Sequence, residues 1–346
     1  MEIDLGNIEE MTGDLVDHHK QLIKSFTDCL GGKPKWGDLG VNITCTNSTY
    51  DYTIESISFN AEKGERISSV LLTPKSIEKP FPVILCHHGF YSNKDLMLFG
   101  EDTNGPSNDG VPLSRMTRFG LAVMAIDGRA HGNRTSEKFK LPWKFGKPTE
   151  IPRPSRITDP KAYEESIWED FEWSNRQAVI DGNSLGALET WDAVRAIDYL
   201  ETRSDINTQK IGTFGHSRGG DIAWYLSLVD PRVKAICTSG CMQTFEACIN
   251  FRRDAGAHAW IPNIRNIGSR QELVSALAPR PLLALEGAED HDPMGEKPMW
   301  DALTNVYKVM GVPNNFEYHR LPGGHGNYLK EISSVDQISR WFKQFL

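Results

Sequence analysis

Short apolar runs alternate along the chain with stretches in which apolar residues return every three or four positions. The clearest runs lie at 82–87, 121–127 and 281–287, with more mixed ones at 210–216, 233–239 and 316–321; most are bounded by glycine or proline. Six or seven residues of nearly unbroken apolar character fit strands covered on both faces, as in a parallel sheet. The helical spacing at about 112–119, 187–202, 219–229, 295–310 and 328–345 predicts helices between them. From about residue 53 a strand, a hairpin and a second strand come first. Strands separated by helices of this length imply an α/β fold with a doubly wound, mostly parallel sheet and an antiparallel start.

Two parts of the chain depart from that alternation. Residues 8–31 carry a helical pattern that stops at Gly31-Gly32, so residues 1–52 read as an N-terminal helical extension before a domain at 53–346. The extension either packs across the domain or forms a contact between copies in a homo-oligomer, and the sequence leaves both open. Three segments, about 91–110, 129–186 and 240–270, are too long to be plain connections. All three follow the carboxyl ends of predicted strands, the side on which α/β sheets bind ligands. The middle one intersperses Trp143, Phe145, Trp168, Phe171 and Trp173 with lysines and glutamates. That mixture suits a folded cap more than an apolar lid.

The chemistry is concentrated where strands end. Gly215-His216-Ser217-Arg218-Gly219 joins a strand to a helix, and a sharp turn there lifts a serine hydroxyl clear of the backbone, where a base can reach it. In the chain order serine, acid, histidine, the acid should follow a later strand. Asp290 stands three residues past Gly287 and is the candidate; Asp292, directly before Pro293, competes for the role but suits a helix N-cap better. His325 in Pro322-Gly323-Gly324-His325-Gly326 is the candidate base, while His319 lies inside the last strand. The run 82–87 ends in His88-Gly89-Phe90. The backbone N–H groups of Phe90 and Arg218 are therefore the expected oxyanion donors. His87 and His88 read as braces of that loop, because adjacent strand residues point apart and no third ligand has suitable spacing to them.

These motifs, in this order, resemble the α/β-hydrolase superfamily over about residues 53–346. Trp191-Asp192-Ala193-Val194-Arg195-Ala196-Ile197-Asp198-Tyr199-Leu200 and Asp230-Pro231-Arg232-Val233-Lys234-Ala235 resemble its dienelactone hydrolase and acetyl xylan esterase branch. Dienelactone hydrolases carry a cysteine nucleophile, so their lactone activity is not carried over to Ser217. The resemblance implies a serine esterase acting on small carboxylic esters, with no metal or organic cofactor. Asp127, Arg129 and His131 resemble a structural loop of the superfamily. Three alternatives stand beside the esterase: a prolyl oligopeptidase-like peptidase lacking the repeat-built propeller, a catalytically silent binding protein on the same fold, and a C–C bond hydrolase or thioesterase using the same three residues.

Composition narrows the setting. A net charge of -8 without a long basic run argues against nucleic acid, and the chain has neither a basic amphipathic helix for membranes nor an apolar run long enough to span one. Met1 to Asn7 lacks the basic and apolar regions of a signal peptide. The six cysteines have no CxxC spacing, and Cys86 and Cys237 fall in predicted strands, so all six are expected as thiols in a reducing, cytoplasmic setting. In the third long segment, Arg252 or Arg253 is a candidate clamp for a substrate carboxylate, against the alternative of a solvated or salt-bridged pair. Trp260 is a candidate substrate contact beside them.

Overall fold

In the computed structural model, residues 5–62, 64–100, 112–136, 160–251, 260–290 and 293–346 are described. The strands are β1 (Asn42–Ser48), β2 (Tyr52–Asn60), β3 (Arg66–Pro74), β4 (Phe81–His87), β5 (Ala122–Ile126), β6 (Ile206–His216), β7 (Val233–Ser239), β8 (Leu282–Gly287) and β9 (Phe316–Leu321). The helices are α1 (Leu5–Cys29), α2 (Lys94–Phe99), α3 (Pro160–Ile180), α4 (Leu185–Glu201), α5 (Arg218–Val229), α6 (Phe245–Phe251), α7 (Arg270–Ser275), α8 (Pro293–Val309) and α9 (Ile332–Phe345). The nine strands form one sheet in the order β1-β2-β3-β5-β4-β6-β7-β8-β9. Pairing is antiparallel from β1 to β5 and parallel from β5 through β9.

Side chains on successive strand residues leave the sheet on opposite faces, and the two layers of core follow that period of two. Val83 and Leu85 of β4 join one cluster with Leu22, Phe26, Ile197, Ile222, Leu273 and Leu303. Ile84 and Cys86 join the other with Met97, Leu113, Val335, Ile338 and Trp341. The same split divides Met124 from Val123 and Ala125, and Ala284 from Leu283 and Leu285. A residue-by-residue division of this kind requires both faces of the sheet to be covered, and α1, α4, α5, α7 and α8 cover one while α2 and α9 cover the other.

The N-terminal helix packs across the domain. Phe26 is fully buried, with its ring 5.9 Å from Trp224 and 5.2 Å from Tyr225 of α5, and the carbonyl of Leu30 accepts the indole N–H of Trp191 at 3.1 Å. Phe26→Ala is expected to cost about 3 to 5 kcal/mol, read as a lower urea midpoint with an unchanged slope.

Three elements differ from the sequence expectation. Strand β1 was not expected, because its residues are exposed or half-exposed on both faces and so show no alternation. The helix expected at 112–119 is a 3₁₀ segment, Leu113–Phe119, closed by Gly120 at a left-handed φ of 79°; its buried residues Leu113 and Met116 repeat every three positions, as the tighter winding requires. The last helix divides at Glu331, whose extended backbone separates a 3₁₀ turn, Asn327–Lys330, from α9.

Candidate active site

Strand order reverses between β4 and β6, which are hydrogen-bonded neighbours with His87 opposite Gly215. In an open α/β sheet this crevice, at the carboxyl ends of the strands, is where ligands bind. The turns after β4, β6, β8 and β9 all open onto that side.

Ser217 alone makes the turn from β6 to α5. Its φ of 55° and ψ of -120° are rarely adopted by L residues and cost about 1 to 3 kcal/mol. The turn is held by the Ser217 N–H donating to the Ser239 carbonyl at 2.7 Å, and by the Gly220 N–H donating to the Ser217 carbonyl at 2.9 Å. Gly219 is glycine for a steric reason: a Cβ there would strike the carbonyl oxygen of His87. The first turn of α5 therefore lies directly against the end of β4.

His325 Nε2 accepts from the Ser217 hydroxyl at 2.9 Å, and His325 Nδ1 donates to Asp290 Oδ2 at 2.6 Å. The Asp290 side chain is 3% exposed and that of His325 30%. A buried carboxylate fixes one imidazole nitrogen as donor and leaves the other as acceptor, the arrangement needed to take a serine proton. The two loops meet because Gly287 has no side chain: a Cβ there would come within 2.7 Å of the Gly323 carbonyl oxygen. The N–H groups of Ala288 and Glu289 donate across the gap to the carbonyls of Leu321 and Gly323 at 2.8 and 3.1 Å. At the end of β8 the fully buried Glu286 accepts from the N–H groups of Cys241 and Met242, which ties down the start of the third long segment.

The loop after β4 is braced on two sides. His88 donates from Nδ1 to the Gly89 carbonyl at 2.7 Å and accepts the Gly128 N–H at Nε2, 2.9 Å away. His131 lies between the carbonyl oxygens of Arg129 and Phe90, at 2.7 and 2.6 Å. Burial first, then the charge of Arg218, lowers its pKa well below the usual value, against the opposing pull of the two carbonyls. The Phe90 ring meets Trp168 and Phe171 of α3 edge-on, with centroids 5.6 and 5.2 Å away. The Arg218 N–H belongs to the first turn of α5, where helix geometry supplies no partner. Its guanidinium is buried and ion-paired with Glu189 of α4.

The structure thus brings Ser217, Asp290 and His325 together, with Phe90 and Arg218 on the two elements that flank the crevice. Asp127 accepts from Lys94 Nζ at 2.9 Å and from the backbone N–H groups of Lys94 and Asn133, and Arg129 grips Asp192 through two nitrogens, each at 3.0 Å. Trp260 lies elsewhere, 39% exposed on a groove of about 510 Å³ whose lining includes neither Ser217 nor His325. Arg252, Arg253 and Asp292 lie outside the described residues. Sequence reasoning missed Glu189 and Arg134. The signal for Glu189 was present: with Asp192 it forms an i, i+3 acid pair on a helix whose other residues from Leu185 to Val194 carry no charge.

The fold and the order of these groups along it define the class: the chain has the α/β-hydrolase fold. The family described as BAAT / Acyl-CoA thioester hydrolase C terminal matches residues 194–277, which contain the Ser217 turn. The chain is 26% identical over 323 residues to YtaP of Bacillus subtilis (strain 168), provisionally named a hydrolase, covering 89% of this chain and 93% of that one. It is 24% identical over 191 residues to carbohydrate esterase MZ0003 of an unknown prokaryotic organism, 45% of this chain and 44% of that one. Among solved structures it is similar to a Bacteroides fragilis NCTC 9343 protein provisionally described as an acetyl xylan esterase (TM-score 0.69, 18% identity, 90% of this chain and 76% of that one). It is also similar to a glucuronoyl esterase from Solibacter usitatus (TM-score 0.63, 16% identity, 92% and 91%).

Proposed function

We propose that the protein is a serine hydrolase that cleaves small carboxylic esters through an acyl-enzyme. The observation that carries this reading is the unbroken hydrogen-bond chain from the Ser217 hydroxyl through His325 to buried Asp290. In this mechanism His325 Nε2 removes the Ser217 proton as Oγ attacks the ester carbonyl, and Asp290 orients the ring and stabilises the imidazolium. The N–H groups of Phe90 and Arg218 receive the oxyanion, each worth about 3 to 4 kcal/mol in sites of this type. His325 then protonates the departing alcohol. Water, activated by the same imidazole, releases the acid and restores Ser217. The esterases among the similar proteins support an ester substrate, and the one described as an acetyl xylan esterase favours an alcohol part built on a sugar.

A thioester is the second reading, favoured by the acyl-CoA thioester hydrolase family that matches residues 194–277. Purified protein assayed on p-nitrophenyl acetate, acetylated xylo-oligosaccharides, acyl-CoA thioesters and a peptide amide separates these readings. Oxygen esters should give the highest kcat/KM. A higher value on the thioester or the amide would overturn the ester assignment.

The acyl part should be short. Helix α3 buries its inward residues Ile167, Phe171 and Ala178 against Phe90, Ala130 and Leu185, and its exposed apolar residues Trp168, Trp173, Val179 and Ile180 are interspersed with charged and polar ones, so the helix presents no continuous apolar groove to an extended tail. Each methylene in an apolar groove contributes about 0.8 kcal/mol, a gain this wall does not offer. Acetyl and butyryl p-nitrophenyl esters are expected to be cleaved with higher kcat/KM than decanoyl or palmitoyl esters, without a jump in rate above the micelle concentration. A steady climb with chain length would contradict it.

A further inference from the structure

Between β4, α4, α5 and the 127–134 loop lies a small cavity lined by His87, Asp127, Arg134, Glu189, Asp192 and Arg218 among others. It leaves about 20 Å³ for the centre of a water-sized sphere, and one water needs roughly 10 to 15 Å³ by that measure. Four side-chain atoms of its lining are buried and make no hydrogen bond within the protein: His87 Nε2, Arg134 Nε, Glu189 Oε2 and Arg218 Nε. His87, Glu189 and Arg218 are 4%, 3% and 4% exposed, and the Arg134 side chain is 5% exposed. Leaving four such atoms unsatisfied would cost several times the penalty of one, about 1 to 3 kcal/mol each.

Their chemistry selects the occupant. The two guanidinium Nε–H groups are donors and nothing else. Burial raises the pKa of Glu189 and the adjoining Arg218 and Arg134 oppose that rise; with Arg218 in contact, its carboxylate is an acceptor. Burial, then the Arg218 charge, lowers the pKa of His87 to about 3, so its ring is neutral and Nε2 can accept. Two donors and two acceptors around a single small space match a water molecule, which accepts two hydrogen bonds and donates two. An anion would face Glu189, and a cation would face two guanidiniums.

We infer that this cavity is a binding site for one buried water, which accepts from Arg134 and Arg218 and donates to Glu189 and His87. His87 is the last residue of β4, three before Phe90, and Arg218 carries the other expected oxyanion donor. The water therefore couples the two halves of the oxyanion hole from behind, with His87 a positioning residue. This last consequence rests on the esterase reading, whereas the water site itself does not.

A high-resolution crystal structure of the full chain tests the site. One density peak of water height within hydrogen-bonding distance of all four atoms is expected; a cavity without density, an ion in place of water, or side chains closed into direct bonds would overturn the proposal. Kinetics test the coupling. His87→Phe, which removes the acceptor, should lower kcat roughly tenfold, a fraction of the roughly 100- to 1000-fold cost of losing an oxyanion donor. KM should stay within about twofold, and His87→Gln, which keeps an acceptor, should recover most of the rate. If His87→Phe fails to fold, His87→Leu, which removes the acceptor with less bulk, carries the same test against His87→Gln. An unchanged kcat in a folded His87→Phe would overturn it. Esters inert toward the native protein would sink the esterase reading while the density still decides the water site.

Discussion

Ser217→Ala is expected to abolish covalent labelling by a fluorophosphonate and to lower kcat on a short-chain ester by on the order of a millionfold, the scale on which losing a serine nucleophile acts. The substitution removes a single oxygen, but that oxygen both attacks and forms the acyl bond, so no neighbouring group can replace it. The fold should persist: the strain at φ 55° belongs to the backbone, and the hydrogen bonds from the Ser217 N–H to Ser239 and from Gly220 to the Ser217 carbonyl do not use the side chain. Peptide mapping after labelling, with melting temperature as the control, checks it. Adduct on another serine would remove Ser217 from the mechanism.

Asp290→Asn is expected to lower kcat by about 10⁴-fold while leaving the melting temperature close to native. The carboxamide has the same shape and stays buried, but it can present its N–H₂ to His325 Nδ1. The imidazole then takes the tautomer with its proton on Nε2 and points an N–H, not a lone pair, at Ser217. The measurement that separates this from general damage is KM, which should change far less than kcat. Asp292→Asn should leave turnover near native. The opposite ranking of the two variants would transfer the role to Asp292.

The sequence disclosed most about residues whose environment repeats a simple rule. Strands β4, β5 and β8 are covered on both faces, so nearly every residue in them is apolar, and they stand out without knowledge of their neighbours. Strand β1 is at the sheet edge with exposed side chains, and nothing in Asn42-Ile43-Thr44-Cys45-Thr46-Asn47-Ser48 distinguishes it from a loop. The Ser217 turn was legible because its glycines are set within one short motif, Gly215 by its approach to the Gly219 backbone, whereas Gly287 answers to Gly323, 36 positions later. The long segments could be recognised by their length, but not folded: Phe171 meets Phe90 and Glu189 meets Arg218, each across a stretch of chain that no local pattern bridges. Arg134 was hard to single out because its charged partners Asp192 and Glu65 lie 58 and 69 residues away.

The pairing of His87 opposite Gly215 has a consequence for how this scaffold tolerates change. The two expected oxyanion donors follow neighbouring strands of a hydrogen-bonded ladder, about 4.8 Å apart, in the middle of the sheet, and the loop that carries Phe90 is braced by His88 and His131. The chemical floor of the crevice is thus built from the part of the molecule that opens last, while its walls come from segments inserted after strands. Diversifying the long segments while keeping His131 and Arg134, which hold the loop after β4 and the cavity beside it, can therefore reshape which molecules enter without rebuilding the reaction that awaits them. Substitutions in the β4–β6 ladder put the reaction itself at risk, however far they lie from the substrate.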